Sequence, residues 1–200
     1  FLGRYRMVDF PISNLSNSGI DRIQVYVKEK PRTLVSHIGT GRHYNINSKS
    51  GRLQVLFTDS DQRNNIYNTD IASYYENMEC IEEMHHPYVV ITPDYMVYTA
   101  DFSKLIDQHI QSEADITLLY HAVDNAKDAY LNCNILNLNK QKGVLSIEPN
   151  HGNAKNRNIF MDTYIMKKDL FIELIRKAKA ISSAFTLADI INELHNELDV

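Results

Sequence analysis

The sequence predicts an α/β fold: a mixed, mostly parallel sheet covered by helices, with an antiparallel hairpin set into its second half. Three observations predict it. Apolar runs of strand length alternate with helical apolar spacing through the first half of the chain. The run Tyr88-Val-Val-Ile91, bounded by Pro87 and Pro93, reads as a strand buried on both faces, as strands of a helix-covered sheet are. Residues 132–139 and 142–147 are two strand-like runs joined by a short turn near Gln141 to Gly143.

Each element has a local reason. Asp9-Phe-Pro11 opens a helix, with an acid that can cap and a proline in the first turn. Ile12 and Leu15 give that helix an apolar side, and Gly19 suits the position past its end. Arg22-Ile-Gln-Val-Tyr-Val27 alternates polar and apolar residues and reads as a strand. Pro31 starts a second helix with Leu34, Val35 and Ile38 on one face, stopped by Gly39. Residues 40–52 read as a loop, Leu53 to Phe57 as a strand and Thr58 to Asn65 as a polar connector. Asn68 or Thr69 can cap a helix carrying Ile71, Tyr75 and Met78. After the 88–92 strand, Asp101 can cap a helix with Phe102, Leu105, Ile106, His109 and Ile110 on one face, the clearest amphipathic pattern in the chain. Ile116 to His121 and Asn158 to Met166 read as strands. Lys168 to Lys179 reads as a helix. Thr186 and Asp189 have capping-box spacing, with Asp in place of the usual Glu or Gln, ahead of a last helix carrying Leu187, Ile190, Ile191, Leu194 and Leu198.

The 200 residues suffice for one large domain with a substantial core. Lys plus Arg number 21 and Asp plus Glu 25, a net charge of -4, so no basic excess draws in nucleic acid or an acidic membrane. No apolar run approaches the ~20 residues that span a bilayer. Two cysteines, Cys80 and Cys133, cannot make a disulfide framework, and a reduced cytoplasmic location is expected. Phe1 is no natural initiator and Val200 follows directly on a helical pattern. A piece of a longer protein is therefore expected.

In open α/β sheets ligands bind outside the carboxyl ends of the strands, which puts Asp94 and Tyr95 in the expected crevice. Asp94 and Asp101 could hold a divalent ion between phosphates, or be a turn residue and a helix cap. The cluster Arg4-Tyr5-Arg6 could hold phosphate, or Arg6 could pair with Asp9. His85-His86 and the Asp59, Asp61, Arg63 group read as solvated loops. No phosphate-cradling glycine loop, G-x-S-x-G elbow or H-E-x-x-H motif is present in the sequence.

The opening Phe1-Leu-Gly-Arg-Tyr-Arg-Met-Val-Asp-Phe-Pro-Ile-Ser-Asn-Leu-Ser-Asn-Ser-Gly-Ile20 resembles the Y-R-x-x-D-F-P-x-S-N-x-x-N-S-G-I segment of bacterial ADP-glucose pyrophosphorylases, the glucose-1-phosphate adenylyltransferases. The resemblance extends in order over the whole chain. It implies a Rossmann-like nucleotidyltransferase (nucleotide-diphospho-sugar transferase) fold spanning residues 1–200. It also implies a family reaction that joins ATP and glucose 1-phosphate into ADP-glucose and pyrophosphate with magnesium. The family's N-terminal glycine-rich strand and loop and its C-terminal left-handed β-helix have no counterpart in these residues. Since that first strand is normally central, its slot must be filled by something else for folding to be complete.

The departures from the family pattern point to a degraded site. Catalytic members carry a G-D-H-I-Y-type segment whose Asp binds the metal. Counted back from Tyr98 and Asp101, that Asp falls on Tyr95 and the Gly on Asp94. The nucleotide-contacting G-T-A-D-A run corresponds to Thr69-Asp70-Ile71-Ala72-Ser73, without the glycine. The E-K-P lysine that holds the sugar phosphate is replaced by Glu148. A strand glycine that lets the sugar approach corresponds to Asp162. A neutral Tyr is a poor ligand for a hard cation, and a Glu repels phosphate. A side chain at a glycine position occupies ligand space. The pattern is similar to the D-type, GlgD subunits of Gram-positive bacteria. This likeness implies a weakly catalytic or noncatalytic regulatory subunit in glycogen biosynthesis, partnered with the catalytic subunit in a hetero-oligomer. It leaves a nucleotide or sugar-phosphate ligand open. The rival expectation is an active adenylyltransferase in which Asp94 is the magnesium ligand.

Overall fold

The computed structural model describes Gly3 and residues 5–28, 31–39, 44, 46, 52–58 and 65–200. Arg4, Asp59, Asp61 and Arg63 lie outside the described residues. Helix α1 (Asp9–Asn17) is followed by β1 (Arg22–Val27), α2 (Pro31–Ile38) and β2 (Arg52–Phe57). Gly19 ends α1 at φ +79°, and the amides of Gly19 and Ile20 donate back to the Ser16 and Leu15 carbonyls, each at 3.0 Å. This turn satisfies carbonyls the helix leaves open and needs a left-handed residue. Strands β1 and β2 are parallel, from Arg22↔Arg52 to Val27↔Phe57.

Helices α3 (Asp70–Glu76) and α4 (Met78–Glu82) precede β3 (Tyr88–Ile91) and α5 (Phe102–Ser112). The sequence reads α3 and α4 as one helix. The Asn77 amide group instead donates to the Ser73 carbonyl at 2.9 Å and to Phe57 O at 3.1 Å, and the helix breaks there. A short polar side chain competes with the backbone for helical carbonyls. Thr69 caps α3 through the Ala72 amide at 3.2 Å. Asp101 caps α5 through the Lys104 amide at 3.4 Å.

The second half comprises β4 (Ile116–Val123), β5 (Asn134–Leu138), β6 (Val144–Pro149), β7 (Arg157–Lys167), α6 (Lys168–Ile181) and α7 (Leu187–Glu193). Thr186 and Asp189 form the full reciprocal capping box of α7. Strands β5 and β6 are the expected hairpin. The 11-residue β7 lies between β4 on one edge and β3 and β5 on the other, antiparallel to all three. Parallel and antiparallel pairing are both present as expected, but the described strands fall into two sheets, the parallel pair β1–β2 and a five-stranded antiparallel sheet. Among the described residues parallel pairing is confined to β1 and β2, because the long strand β7 that organises the second half runs against its neighbours.

The larger apolar cluster lies around β7, α6 and α7, with Phe160, Met166, Leu174, Ile175 and Ile190 among its buried members. A second cluster lies beneath α1, α2 and α5 and includes Ile12, Ile23, Ile38 and Phe102. Burial of β3 falls short of the expectation. Val89 is buried, but Val90 and Ile91 are half-buried. Strand β3 pairs with β7 on one side, and its other edge borders a cavity of about 970 Å³ that β1 bounds opposite.

Candidate functional site

The cavity runs to the carboxyl end of β3, where Asp94 and Tyr95 line it together with Asp70 and Lys28. Asp94 and Tyr95 are both exposed. Behind them the loop is fixed by a relay of hydroxyls. The buried Thr163 hydroxyl donates to the Met161 carbonyl at 2.9 Å. With its proton so used, it accepts from Tyr98 OH at 2.6 Å, and Tyr98 accepts from Thr92 at 2.9 Å. Asn14 of α1 also donates to the Tyr98 carbonyl, at 2.6 Å.

This relay ends on an irregularity in β7. The ladder pairs Leu118 with Tyr164 and Tyr120 with Phe160, so Leu119 alone stands opposite Met161, Asp162 and Thr163. The strand bulges here, and Asp162 takes φ +43°. That left-handed conformation favours glycine and costs a side-chain-bearing residue energy. The bend suited to glycine is thus present, but a carboxyl-bearing residue occupies it. Burial first and the nearby charge of Asp70 next push the Asp162 pKa up to about 6, with the Tyr164 hydroxyl offsetting part of the rise.

Asp70, like Asp162, is half-buried. Its carboxylate accepts the Ile71 amide at 2.8 Å and the Leu187 amide at 3.1 Å, tying the start of α3 to the start of α7. Burial raises its pKa, against those amides and the charge of Lys28. Burial lowers Lys28, which donates to the Asn68 carbonyl at 2.6 Å. Tyr164, buried, and Tyr74, partly buried, are held well above their usual pKa by desolvation first and the acids next.

The structure therefore brings Asp70, Asp94 and Tyr95 to one cavity, with Asp162 electrostatically coupled to Asp70. Thr69 lies beside them as a buried cap. Glu148 is elsewhere, exposed on β6 and accepting from the Asn137 amide group at 2.8 Å. Arg6 is exposed, and only its backbone amide meets Asp9, at 2.7 Å. The side-chain partner of Asp9 is His37 at 2.8 Å, joined by the Tyr44 hydroxyl at 2.5 Å. Asp9 does not cap α1, whose cap position is Val8. Burial pushes Asp9 up, but these hydrogen bonds outweigh it and hold its carboxyl below the usual range. Asp101 is an exposed cap, lowered by Ser103 and Lys104. His85 and His86 are exposed. Sequence reasoning missed Lys28 and the Tyr98–Thr163 link. Lys28 follows β1 directly at its carboxyl end, a position the crevice rule flags.

A magnesium ion prefers near-octahedral oxygen coordination and is usually anchored by carboxylates. At the register position Tyr95 offers only a neutral phenol. Among the described residues no three His, Cys, Asp or Glu side chains converge to hold a metal ion. The side chains present do not make such a site.

The fold and the crevice define a nucleotidyltransferase. The nucleotidyl transferase family model matches residues 1–199, and the chain belongs to that family. It is 31% identical over 166 residues to a glucose-1-phosphate adenylyltransferase of Clostridium perfringens, covering 82% of this chain and 42% of that protein. It is 28% identical over 180 residues to the enzyme of that name from Clostridioides difficile, covering 90% and 46%. The chain thus spans less than half the length of these curated relatives. Among solved structures, a Bacillus anthracis protein assigned as a glucose-1-phosphate thymidylyltransferase, in complex with a sucrose, superposes with a TM-score of 0.72 at 15% identity. The match covers 98% of this chain and 72% of that one. It supports the fold.

Proposed function

We propose that this chain is the nucleotidyltransferase part of a regulatory, weakly catalytic or noncatalytic subunit of glucose-1-phosphate adenylyltransferase. Such a subunit, of the GlgD type, acts in cytoplasmic glycogen biosynthesis and modulates a catalytic partner in a hetero-oligomer. No helix among the described residues is long and apolar enough to cross a membrane. The observation that carries the reading is Asp162, a half-buried carboxyl at a backbone conformation suited to glycine, with a second half-buried acid, Asp70, close enough to raise its pKa. Sugar phosphates are anions, and two half-buried acids, one of them a side chain in place of glycine, disfavour them by charge and by volume. Tyr95, in place of the metal-binding acid, removes a further transition-state partner, and such losses cost ~100-fold or more each.

One observation favours the second reading, an active adenylyltransferase. Asp94 is exposed on the cavity wall, one residue before Tyr95. The test is ADP-glucose formation from ATP, glucose 1-phosphate and magnesium by the full-length protein alone and with the co-purified catalytic subunit. The expected result is no turnover alone and altered kinetics of the partner. Turnover alone at roughly 1 per second or faster overturns the regulatory reading.

A further inference from the structure

We infer that the groove between α3–α4 and α6 is a docking surface for a second copy of this chain, related by a two-fold axis that runs along the groove. The groove shares no lining residue with the crevice. The inference therefore stands whether the protein is catalytic or regulatory.

The groove exists because a helix breaks. Asn77 takes the Ser73 carbonyl between α3 and α4, while α6 passes beside both pieces as one 14-residue helix. The break leaves a hollow of about 740 Å³ against α6, with Tyr75 and Met78 on one side and Ala180 on the other. Tyr75 is 48% exposed there, whereas Tyr74 beside it packs its ring against Tyr26 and Phe171. Aromatic residues, Met and Arg are the types enriched where two proteins meet, and charge is kept to a polar rim.

Charge decides what fits. Glu76 and Glu79 stand on the α3–α4 rim, and Arg176 and Lys179 on the α6 rim. Arg176 meets Glu82 at 2.5 Å and clamps α6 to α4. Lys179 lies over Tyr75, its Nζ 5.7 Å from the ring centroid. The two rims therefore carry opposite charge at Glu79 and Lys179. A ligand or partner of one sign is attracted by one rim and repelled by the other. A surface bearing the same rims in reversed order is attracted by both. A second copy, rotated by 180° about an axis along the groove, presents that surface. Glu79 of each copy then faces Lys179 of the other, and the exposed Tyr75 rings come together over the apolar floor. An axis across the groove sets acid against acid and is disfavoured.

The test is the mass of the full-length protein in solution, read by sedimentation. It compares the parent with Glu79→Lys, Lys179→Glu, an equimolar mixture of those two chains, and one chain carrying both changes. Each single reversal turns two attractive contacts per dimer into repulsive ones. It should raise the Kd of self-association about 10-fold or more and, near the parent Kd, halve the assembly mass. The mixture should regain the parent mass, because each chain supplies the charge the other lacks. The doubly changed chain should regain it alone. A second measurement does not depend on reversed charge. With Cys80 and Cys133 changed to Ser, Glu79→Cys chains mixed with Lys179→Cys chains should form an interchain disulfide on oxidation, and neither should do so alone. A single-chain mass for the parent at about 100 μM overturns the inference. So does a mass that the single reversals leave unchanged, which places association elsewhere. A disulfide in Glu79→Cys chains alone overturns the axis, since it pairs like rims. Absence of both the regained mass and the mixed disulfide overturns the second copy as occupant.

Discussion

The two sheets of the described residues are held in different ways. Strand β7 has partners along both edges, and α6 and α7 seal one apolar cluster around it. Strands β1 and β2 form a two-stranded parallel ladder whose inner edge borders a cavity. A two-stranded unit is marginal without packing from elsewhere. The second half therefore carries its own stability, while the β1–β2 pair borrows it from α1, α2 and α5. The acids divide likewise. Asp101 is exposed, caps a helix and is lowered, whereas Asp162 is half-buried, at a bent backbone, and raised.

The largest effect should come from the core of the second half. Phe160 is fully buried and meets Tyr164 edge-on at 5.1 Å. Phe160→Ala should cost about 3–5 kcal/mol in urea denaturation. Ile23→Ala in β1 should cost about 2 kcal/mol, the low end for such truncations, because its wall can relax into the cavity. Equal costs would show the first half to be as tightly packed as the second.

The next effect tests the half-buried acid. The rise of Asp162 from 3.8 to about 6 corresponds to about 3 kcal/mol. The protonated form is the one the fold favours. Its contribution is fully present below pH 3.8 and is lost as pH rises through about 6. Asp162→Asn should therefore match the parent near pH 3.5 and exceed its stability at pH 7.5 by up to about 3 kcal/mol. A constant difference across that range would mean that the carboxyl is not the source of the cost.

Much of the fold was legible because its causes are local. Gly19, Thr69, Asp101 and the Thr186–Asp189 box declare their turns and caps by residue type, and the structure uses each of them. Asn77 was misread because apolar spacing continues across it, whereas its side chain takes a helical carbonyl. The site was less legible. Asp70 meets Leu187 across 117 positions, and the bulge at Asp162 exists only relative to β4. Neither pattern has a local period. The resemblance pointed to Asp162 as a replaced glycine, but only the backbone shows that the bend suited to glycine is present.

A smaller effect links the two halves. Tyr98 joins the loop after β3 to the bulge of β7 by one hydroxyl. Tyr98→Phe should cost about 1 kcal/mol, since Thr163 retains its bond to Met161. Faster exchange of the bulge amides, with the remainder of β7 unchanged, would mark the link as local. Loss across all of β7 would make Tyr98 part of the main core.

The smallest effect on stability is the most informative about the site. Tyr95 is 56% exposed, past the end of β3. Tyr95→Asp should move stability by less than about 0.5 kcal/mol, as exposed substitutions do. It puts an acid at the register position of the metal ligand. Turnover should still be absent, because Asp162 keeps its place in the bulge. If Tyr95→Asp alone restores ADP-glucose formation, Asp162 and Asp70 do not block the site and the degraded-site reading fails. If activity appears only when Asp162→Gly is added to Tyr95→Asp, the block lies at the bulge.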